Sequence, residues 1–450
     1  MVNVMKNSLA IILNKTISLG CKILKPILKK DGSVTPGYYA SKLNKNILDE
    51  LEYPNLRIGV TGSSGKGTTT KLIAHVLKEN GYKVVWNENG SNLFNAAATL
   101  LLNNSGTFNK RIKADVVLME LDESYVNKVF HKNKLTHLVI TNLTRDQVAR
   151  NGSPEVVYKK ILNALDGETE LIINGDDILV NKFSLDHKGK LVKYGIGKTK
   201  NDTKEPTIPV DGVYCPKCHS KIKYNYYHYG HLGDYKCPKC SFERGPIKYE
   251  TTNVNLLSRT IKINNNKVNI NSSFMFSAYA FTAAYSLLKE LGLTDTQIIN
   301  SFNTYSSKLE EFPYLGKRRI EMLDSKHENN LSYESSLSYI KEMPGDKTVI
   351  IGFDNVSRRY NFNDLSWLYD INFSVLNDKS IDKIYIIGKF KYDVYSCLIH
   401  NKVNKKKIIL VDDYKNNLLK KIKNNSKGNI YSMVFVDTME PILKSLKEVK

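Results

Sequence analysis

The hydrophobic pattern of the chain changes period several times, and those changes mark out its architecture. From Leu56 to about Ile173, short runs rich in β-branched residues alternate with stretches of helical spacing. "LRIGV", "KVVW", "DVVLMEL", "THLVIT" and "ELIIN" read as strands, and helices are expected from Lys66, near Phe94 to Leu102 and from Ser153. That alternation predicts an α/β fold built on a doubly wound, mostly parallel sheet. Between about Lys198 and Val254 the pattern stops in a Cys-, Tyr- and Lys-rich segment, after which "FMFSAYAFTAAYSLLKELG" reads as a strongly buried helix. Beyond the loop around Phe312 to Gly316 a second series begins, with strands "TVIIGF", "KIYIIG", "KIILV" and "YSMVFV" and helices from about Tyr392, Asp413 and Glu440. The expected organisation is an N-terminal helical entry segment (1–50), a central domain (51–312) with an insert at 211–246, and a C-terminal Rossmann-like α/β domain (313–450).

Composition changes this picture only a little. With 450 residues, 41% of them hydrophobic, there is material for two or three cores. The N-terminal "SLAIILNKTISLGCKILKPILKK" is interrupted by Asn14, Lys15 and Lys22, so it falls short of the roughly 18 to 20 apolar residues of a membrane span. It reads as an amphipathic surface helix, with peripheral membrane contact the lesser reading. No signal peptide is recognisable, and a cytoplasmic protein is expected, with the inner membrane face as the lesser alternative. The net charge of +21 comes from lysines dispersed along the chain and favours anionic partners such as nucleotides, diphosphates or an acidic leaflet. No RNA-recognition, helix-turn-helix or basic-zipper pattern is present, so nucleic acid is not an expected partner.

The chemistry concentrates in "VTGSSGKGTTTKLI", where a strand ends at Val60 and a helix starts near Lys66. Glycines there let backbone N–H groups converge on phosphate, the helix N-terminus adds its dipole, and Lys66 supplies a point charge. Gly62, Ser63, Ser64, Gly65, Lys66, Gly67, Thr68 and Thr69 are the expected contacts to a nucleotide's phosphates. Gly67 stands where a Mg²⁺-binding hydroxyl commonly follows the lysine, so Thr68 is assigned to the metal. A second oxygen ligand is expected at the end of a neighbouring strand, where "VLMELDES" offers Glu120, Asp122 and Glu123; Glu120 is favoured.

Cys215, Cys218, Cys237 and Cys240 form two C-P-K-C knuckles separated by eighteen residues. Four thiolates leave no open coordination position, so a structural Zn²⁺ in a small ribbon is expected. The aromatics of "YNYYHYGH" are expected to pack that ribbon, with His228 and His231 left without a role. Cys21 and Cys397 stand alone.

These motifs resemble the Mur ligases, and "NENGSNLFNAAATLLL", "VLMELDES", "TNLTRDQVARNG", "INGDD", "DGSVTPGYYASKL" and "NDLSWLYDINF" resemble the MurT subfamily in particular. The resemblance implies that Asn142, Arg145 and Asp146 belong to the ATP site. It also implies an amide ligase that activates the D-glutamate α-carboxylate of the lipid II stem peptide as an acyl phosphate. Ammonia would come from a GatD-like glutaminase, since no Cys–His pair here reads as one. An Asp of the D-x-S-W segment would serve that partner's site; Asp364 matches, with Asp370 behind it. Read without the resemblance, Asp364 is as readily a helix cap.

Three departures from the family pattern bear on substrate. Ser277 and Ala280 stand where the family's adenine-contacting asparagines are expected, "ENNLSYESSLSYI" replaces a K-N-P-A-G segment, and "GKRRIE" replaces G-R-x-E. Arg318, with Arg319 next, is the expected phosphate contact of that last element. The alternatives are a Mur-type ligase adding an amino acid or amine to another carboxylate, as in folylpolyglutamate synthetases, and a nucleotide-binding scaffold subunit without turnover.

Overall fold

Alternate residues of the central strands face opposite ways, and each set has its own core to bury. The computed structural model describes residues 2–28, 32–88, 90, 92–123, 125–145, 152–206, 210–307, 312–323, 330–355 and 363–449. Strands β1 (Leu56–Thr61), β2 (Val84–Trp86), β3 (Val116–Glu120), β4 (His137–Ile140), β5 (Glu170–Asn174) and β6 (Leu191–Ile196) run parallel. Ile58, Val60, Val116, Leu118, Val139 and Ile172 pack on one face, with the helices Lys66–Glu79, Met275–Glu290 and Asp295–Ser307. Val117, Met119, Leu138, Ile140, Leu171 and Ile173 pack on the other, where the helix Phe94–Asn103 and the N-terminal helices Val2–Leu28 and Thr35–Leu43 lie. Strands with apolar residues on both faces need helices on both faces, as the sequence pattern predicts.

The insert after β6 forms an antiparallel hairpin, β7 (Lys223–Tyr229) with β8 (Leu232–Lys236). The sheet then resumes with β9 (Tyr249–Asn255), parallel to β6, followed by β10 (Thr260–Ile263) and β11 (Asn266–Asn269), each antiparallel to its predecessor. The result is a nine-stranded sheet of order β11-β10-β9-β6-β5-β4-β1-β3-β2. β6 and the β9–β11 meander were not anticipated, because their polar and charged outward positions dilute the apolar signal that marks the inner strands.

The second sheet has six strands in the order β12-β13-β17-β14-β15-β16. β12 (Tyr314–Leu315) is antiparallel to β13 (Arg318–Met322), and β14 (Lys347–Gly352), β15 (Ile381–Ile387), β16 (Ile408–Leu410) and β17 (Asn429–Val434) run parallel with β13. Val349, Ile351, Ile384 and Ile386 fill one face, and Ile350, Tyr385, Ile387 and Ile430 the other. The helices expected near Tyr392, Asp413 and Glu440 are Lys391–His400, Tyr414–Asn425 and Val436–Val449.

Candidate active site

β1 delivers the chain to its glycine-rich turn at the carboxyl edge of the first sheet, between β3 and β4. Gly65 turns into the helix with φ of +78°, a conformation that glycine takes without strain, and the Lys66–Glu79 helix starts immediately after it. The turn is held from the segment following β4. The Ser63 N–H donates to the Asn142 carbonyl at 2.8 Å, and the Ser64 N–H and hydroxyl donate to the Asn142 side-chain oxygen at 3.0 and 3.1 Å. The Thr141 hydroxyl donates to the Ser64 carbonyl at 2.7 Å, and the Ser63 hydroxyl donates to Thr144 O while accepting from the Thr144 N–H.

Lys66 is buried and lies back over the turn, donating to Gly62 O and pairing with Glu123 at 3.0 Å. Both side chains are nearly inaccessible, so the pair is screened from water and each charge depends on the other. Glu120 ends β3 and is fixed by Asn87, whose side chain exchanges two 2.8 Å hydrogen bonds with its backbone. A Cβ on Gly67 would lie 3.3 Å from a Glu120 carboxylate oxygen. The absence of a side chain at 67 therefore leaves the Glu120 carboxylate room beside the helix start. Thr68 is half-buried and Thr69 fully buried; the Thr69 hydroxyl has no hydrogen-bond partner among the described residues. Asp146 lies outside the described residues.

Arg145 is drawn away from the turn. Its backbone N–H donates to Asp211 at 3.0 Å, and its guanidinium pairs with Asp211 at 2.8 Å and reaches Asp370 of the second unit at 3.7 Å. Asp370 is thereby an inter-unit partner of Arg145. The Asp364 carboxylate accepts the Ser366 N–H at 2.9 Å just before the short 3₁₀ turn Ser366–Asp370, whose N-cap position is Leu365.

Arg318, the expected phosphate contact, is engaged at a helix end. Its guanidinium donates to the carbonyls of Ile422, Ser426 and Gly428 and to the Thr348 hydroxyl, which caps the C-terminal end of the Tyr414–Asn425 helix. A cation satisfying the orphan carbonyls at a helix C-terminus is a favourable arrangement and leaves little of the guanidinium for a phosphate. Arg319 is likewise engaged, by Glu321 and by the Phe312 ring 5.0 Å beneath it. Ser277 and Ala280 are buried, and the Ser277 hydroxyl donates to Asn271 at 3.2 Å.

The insert reaches both units. Its four cysteine sulfurs lie within 4.8 Å of one another, Cys215 to Cys240 at 3.5 Å and Cys218 to Cys237 at 3.4 Å. Converging sulfurs at such separations fit one tetrahedral ion. A hydrogen bond with the Ser220 hydroxyl, aided by the Ser220 N–H, brings the Cys218 thiol down to about 6, which favours a ligating thiolate. At the other end of the hairpin, His231 pairs with Asp177 at 3.1 Å; burial alone would make this imidazole less basic, and the Asp177 carboxylate reverses the effect. Asp177 also accepts the Leu143 N–H at 2.8 Å, so it steadies the same segment that grips Ser63 and Ser64. On the far side of the tip the Gly230 N–H donates to Glu334 at 3.0 Å, and burial pushes the Glu334 carboxyl up to about 7. Beside it a cavity of about 350 Å³ is lined by His228, Tyr229, Ser273, Met275, Glu334 and Tyr339 among others.

His228 bridges Asp202 at 2.7 Å and the Ile196 carbonyl at 2.9 Å, and Arg244 pairs with Asp176 at 2.6 Å. These contacts lock the insert to the end of β6. Sequence reasoning left His228 and His231 without a role, because their acidic partners lie tens of residues away. Glu123 had a signal, being quoted in the same acidic run as Glu120. Asp211 and Glu334 had none.

Comparison with known proteins agrees with this arrangement. The family model described as Mur ligase middle domain matches residues 60–227, and the one described as MurT ligase C-terminal matches 327–436. The chain is 30% identical over 363 residues to the lipid II isoglutaminyl synthase (glutamine-hydrolyzing) subunit MurT of Staphylococcus aureus, covering 80% of each chain. It is 25% identical to the Streptococcus pneumoniae subunit of the same name, covering 78% of each. In fold it is similar to a pseudomurein peptide ligase type C from Methanothermus fervidus (TM-score 0.66, 20% identity, 90% of this chain and 81% of that one). It is also similar to MurF from Acinetobacter baumannii (TM-score 0.61, 14% identity, 91% and 80%). The chain belongs to the MurT family of Mur-type ATP-dependent ligases.

Proposed function

We propose that this chain is the synthetase subunit that activates the D-glutamate α-carboxylate of a lipid-linked peptidoglycan precursor with ATP. A GatD-like glutaminase would supply ammonia to the acyl phosphate. The observation that carries the reading is Lys66, buried at the mouth of a helix-opening turn with Glu120 and Glu123 beside it. The backbone N–H groups of Gly62 to Gly67 and the helix dipole would hold the β- and γ-phosphates. Lys66 would exchange Glu123 for phosphate oxygens and offset charge on the transferring group. Glu120 and Thr68 are the residues that would hold Mg²⁺, whose charge would neutralise phosphate oxygens during transfer. Asn142 would keep Ser64 in place. Arg145 and Asp146 are proposed to complete the ATP site, with Arg145 released from Asp211 or Asp370 when nucleotide binds.

The cavity beside Ser273 and Met275, at the start of the helix that carries Ser277 and Ala280, is proposed to take the nucleoside end of ATP. With those two positions buried, base selection would rest on other lining groups such as Tyr339. Asp364 is proposed to face the partner's catalytic pair, with Asp370 held by Arg145. Cys215, Cys218, Cys237 and Cys240 would hold a structural Zn²⁺, which supplies folding energy to the insert. The protein would act at the cytoplasmic side, where ATP and the precursor meet.

The test is product mass after incubation with MgATP, lipid II and ammonium ion. Replacement of one carboxyl hydroxyl by an amino group supports amidation, whereas addition of a whole amino acid overturns it in favour of an amino-acid ligase. A second reading, a nucleotide-binding subunit without turnover, is motivated by the buried Ser277 and Ala280. Absence of ATP hydrolysis with every carboxylate substrate, despite ATP binding, would favour it.

A further inference from the structure

The N-terminal helix Val2–Leu28 is folded with its polarity reversed. Its inward face carries Asn7, Asn14 and Ser18, all buried, beside Ala10 and Ile11. Asn14 donates to Thr99 O at 3.2 Å and to the Asn103 side chain at 2.9 Å, Asn103 donates to Ser18 at 3.0 Å, and Asn44 donates to Asn7 at 2.5 Å. Its outward face carries Met5, Leu9, Ile12, Leu19 and Ile23, which are 62, 52, 43, 60 and 66% exposed. Their spacings of four, three, seven and four residues put them on one stripe of the helix, opposite the asparagines.

A helix of a soluble protein normally turns the other way, with its apolar stripe inward. An apolar stripe of this length, interrupted only by exposed Thr16, marks a contact face. Its flanks say with what: Lys6 and Lys22 are exposed to either side of it, Lys25 is exposed in the last turns of the helix, and no Asp or Glu occurs from Met1 to Lys30. The adjoining helix Thr35–Leu43 adds exposed Tyr38 and Tyr39, ring types suited to a boundary between hydrocarbon and water. Two copies paired along the stripe would set lysine against lysine, whereas an anionic leaflet matches both the apolar stripe and its basic rim. No helix among the described residues is long and apolar enough to cross a membrane, so the mode is one of lying on the surface.

We infer that the Val2–Leu28 helix docks this protein on an anionic phospholipid bilayer, with Met5, Leu9, Ile12, Leu19 and Ile23 entering the headgroup boundary. The inference stands on the helix alone and does not depend on the proposed ligase reaction. A lipid-linked substrate would be met on the same surface.

The test is sedimentation of the full chain with vesicles of phosphatidylcholine, alone or mixed with phosphatidylglycerol. Binding is expected on the mixed vesicles, weakened by salt, and reduced at least about ten-fold in the Leu9→Gln/Leu19→Gln/Ile23→Gln variant. A Lys6→Gln/Lys22→Gln/Lys25→Gln variant is expected to lose binding severalfold. Both variants should keep the wild-type melting temperature and nucleotide affinity, because the replaced side chains are exposed and far in sequence from the phosphate turn. Equal binding to both vesicle types, undiminished binding by the glutamine variant, or no vesicle binding at all would overturn the inference. So would a wild-type dimer in light scattering that the glutamine variant dissolves, which would give the stripe to a second copy.

Discussion

The two mostly parallel sheets of this molecule carry the same kind of turn at a strand end and use it in opposite ways. In the first, β1 runs into Gly65, and a Cβ built there would meet nothing within 4 Å. In the second, β15 runs into Gly388, and a Cβ there would stand 2.5 Å from the Phe353 carbonyl. One glycine keeps space open beside a helix N-terminus and a buried lysine; the other lets two backbones touch. The charges at the two edges differ as well. Lys66 and Glu123 are sealed from water in the first sheet, while Lys391 and Asp412 of the second pair at 2.7 Å with the carboxylate almost wholly exposed. A glycine at a strand end is therefore no sign of a ligand by itself. What distinguishes the turn after β1 is room above it and charge held out of solvent around it.

The largest effect that could break this comparison is at the lysines. Lys66→Ala is expected to lower ATP turnover about 10³-fold or more, since it removes charge aimed at the transferring phosphoryl group. Lys391→Ala should leave turnover within about two-fold. Steady-state kinetics on both variants checks it, and similar losses would mean that the second edge also serves the nucleotide.

The insert links the two edges, because its hairpin tip lies between Asp177 of the first unit and Glu334 of the second. Cys237→Ser, or prolonged treatment with a strong chelator, is expected to lower the melting temperature by roughly 5 °C or more. Metal analysis of the untreated protein should find zinc. An unchanged melt in both cases would remove the structural-metal reading.

The glycines give the next test. Gly388→Ala combines a φ of +84° with backbone contact and should cost about 3 kcal/mol in denaturant unfolding, with the KM for ATP unchanged. Gly65→Ala meets only the strain of its positive φ, about 1 kcal/mol, yet its methyl enters the open space and should raise the KM for ATP.

The smallest effect is one of pH at the junction of the two units. The Glu334 carboxyl is held near 7 in the folded chain against an unfolded value of 4.5. Between those values the folded state binds the additional proton, so this group's contribution to stability falls as pH rises from about 4.5 to 7 and stays low above that. Glu334→Gln keeps an acceptor for Gly230 and cannot ionise. Its stability relative to wild type should rise by on the order of 2 kcal/mol between pH 4 and pH 8, measurable by denaturant melts at the two pH values.

Much of this was legible in the residues because the signals are local. The apolar runs of β1 to β5 and of β14 to β17 identify themselves, since strands covered on both faces, half-buried β16 aside, carry little that is polar to blur them. The glycine-rich turn after β1 is legible because glycines, lysine and helix start are consecutive in the chain. The second sheet's first two strands, β12 and β13, were hidden in "YLGKRRIEM", where two arginines mask β13, and one of them, Arg318, caps a helix over a hundred residues away.

The sequence by itself determined the α/β class, the order of the two sheets, the glycine-rich turn and the four-cysteine insert, because each is encoded in neighbouring residues. Only the tertiary structure decided which groups meet across long separations: Lys66 with Glu123, Arg145 with Asp211 and Asp370, Arg318 with the end of a distant helix, and His231 with Asp177. The N-terminal helix shows the division most plainly. Its periodicity states which residues share a face, but the face that is buried was chosen by the hydrogen bonds that Asn14 and Ser18 find with Thr99 and Asn103. A helical pattern fixes relative orientation within a segment, and only packing against the rest of the chain sets its orientation in space.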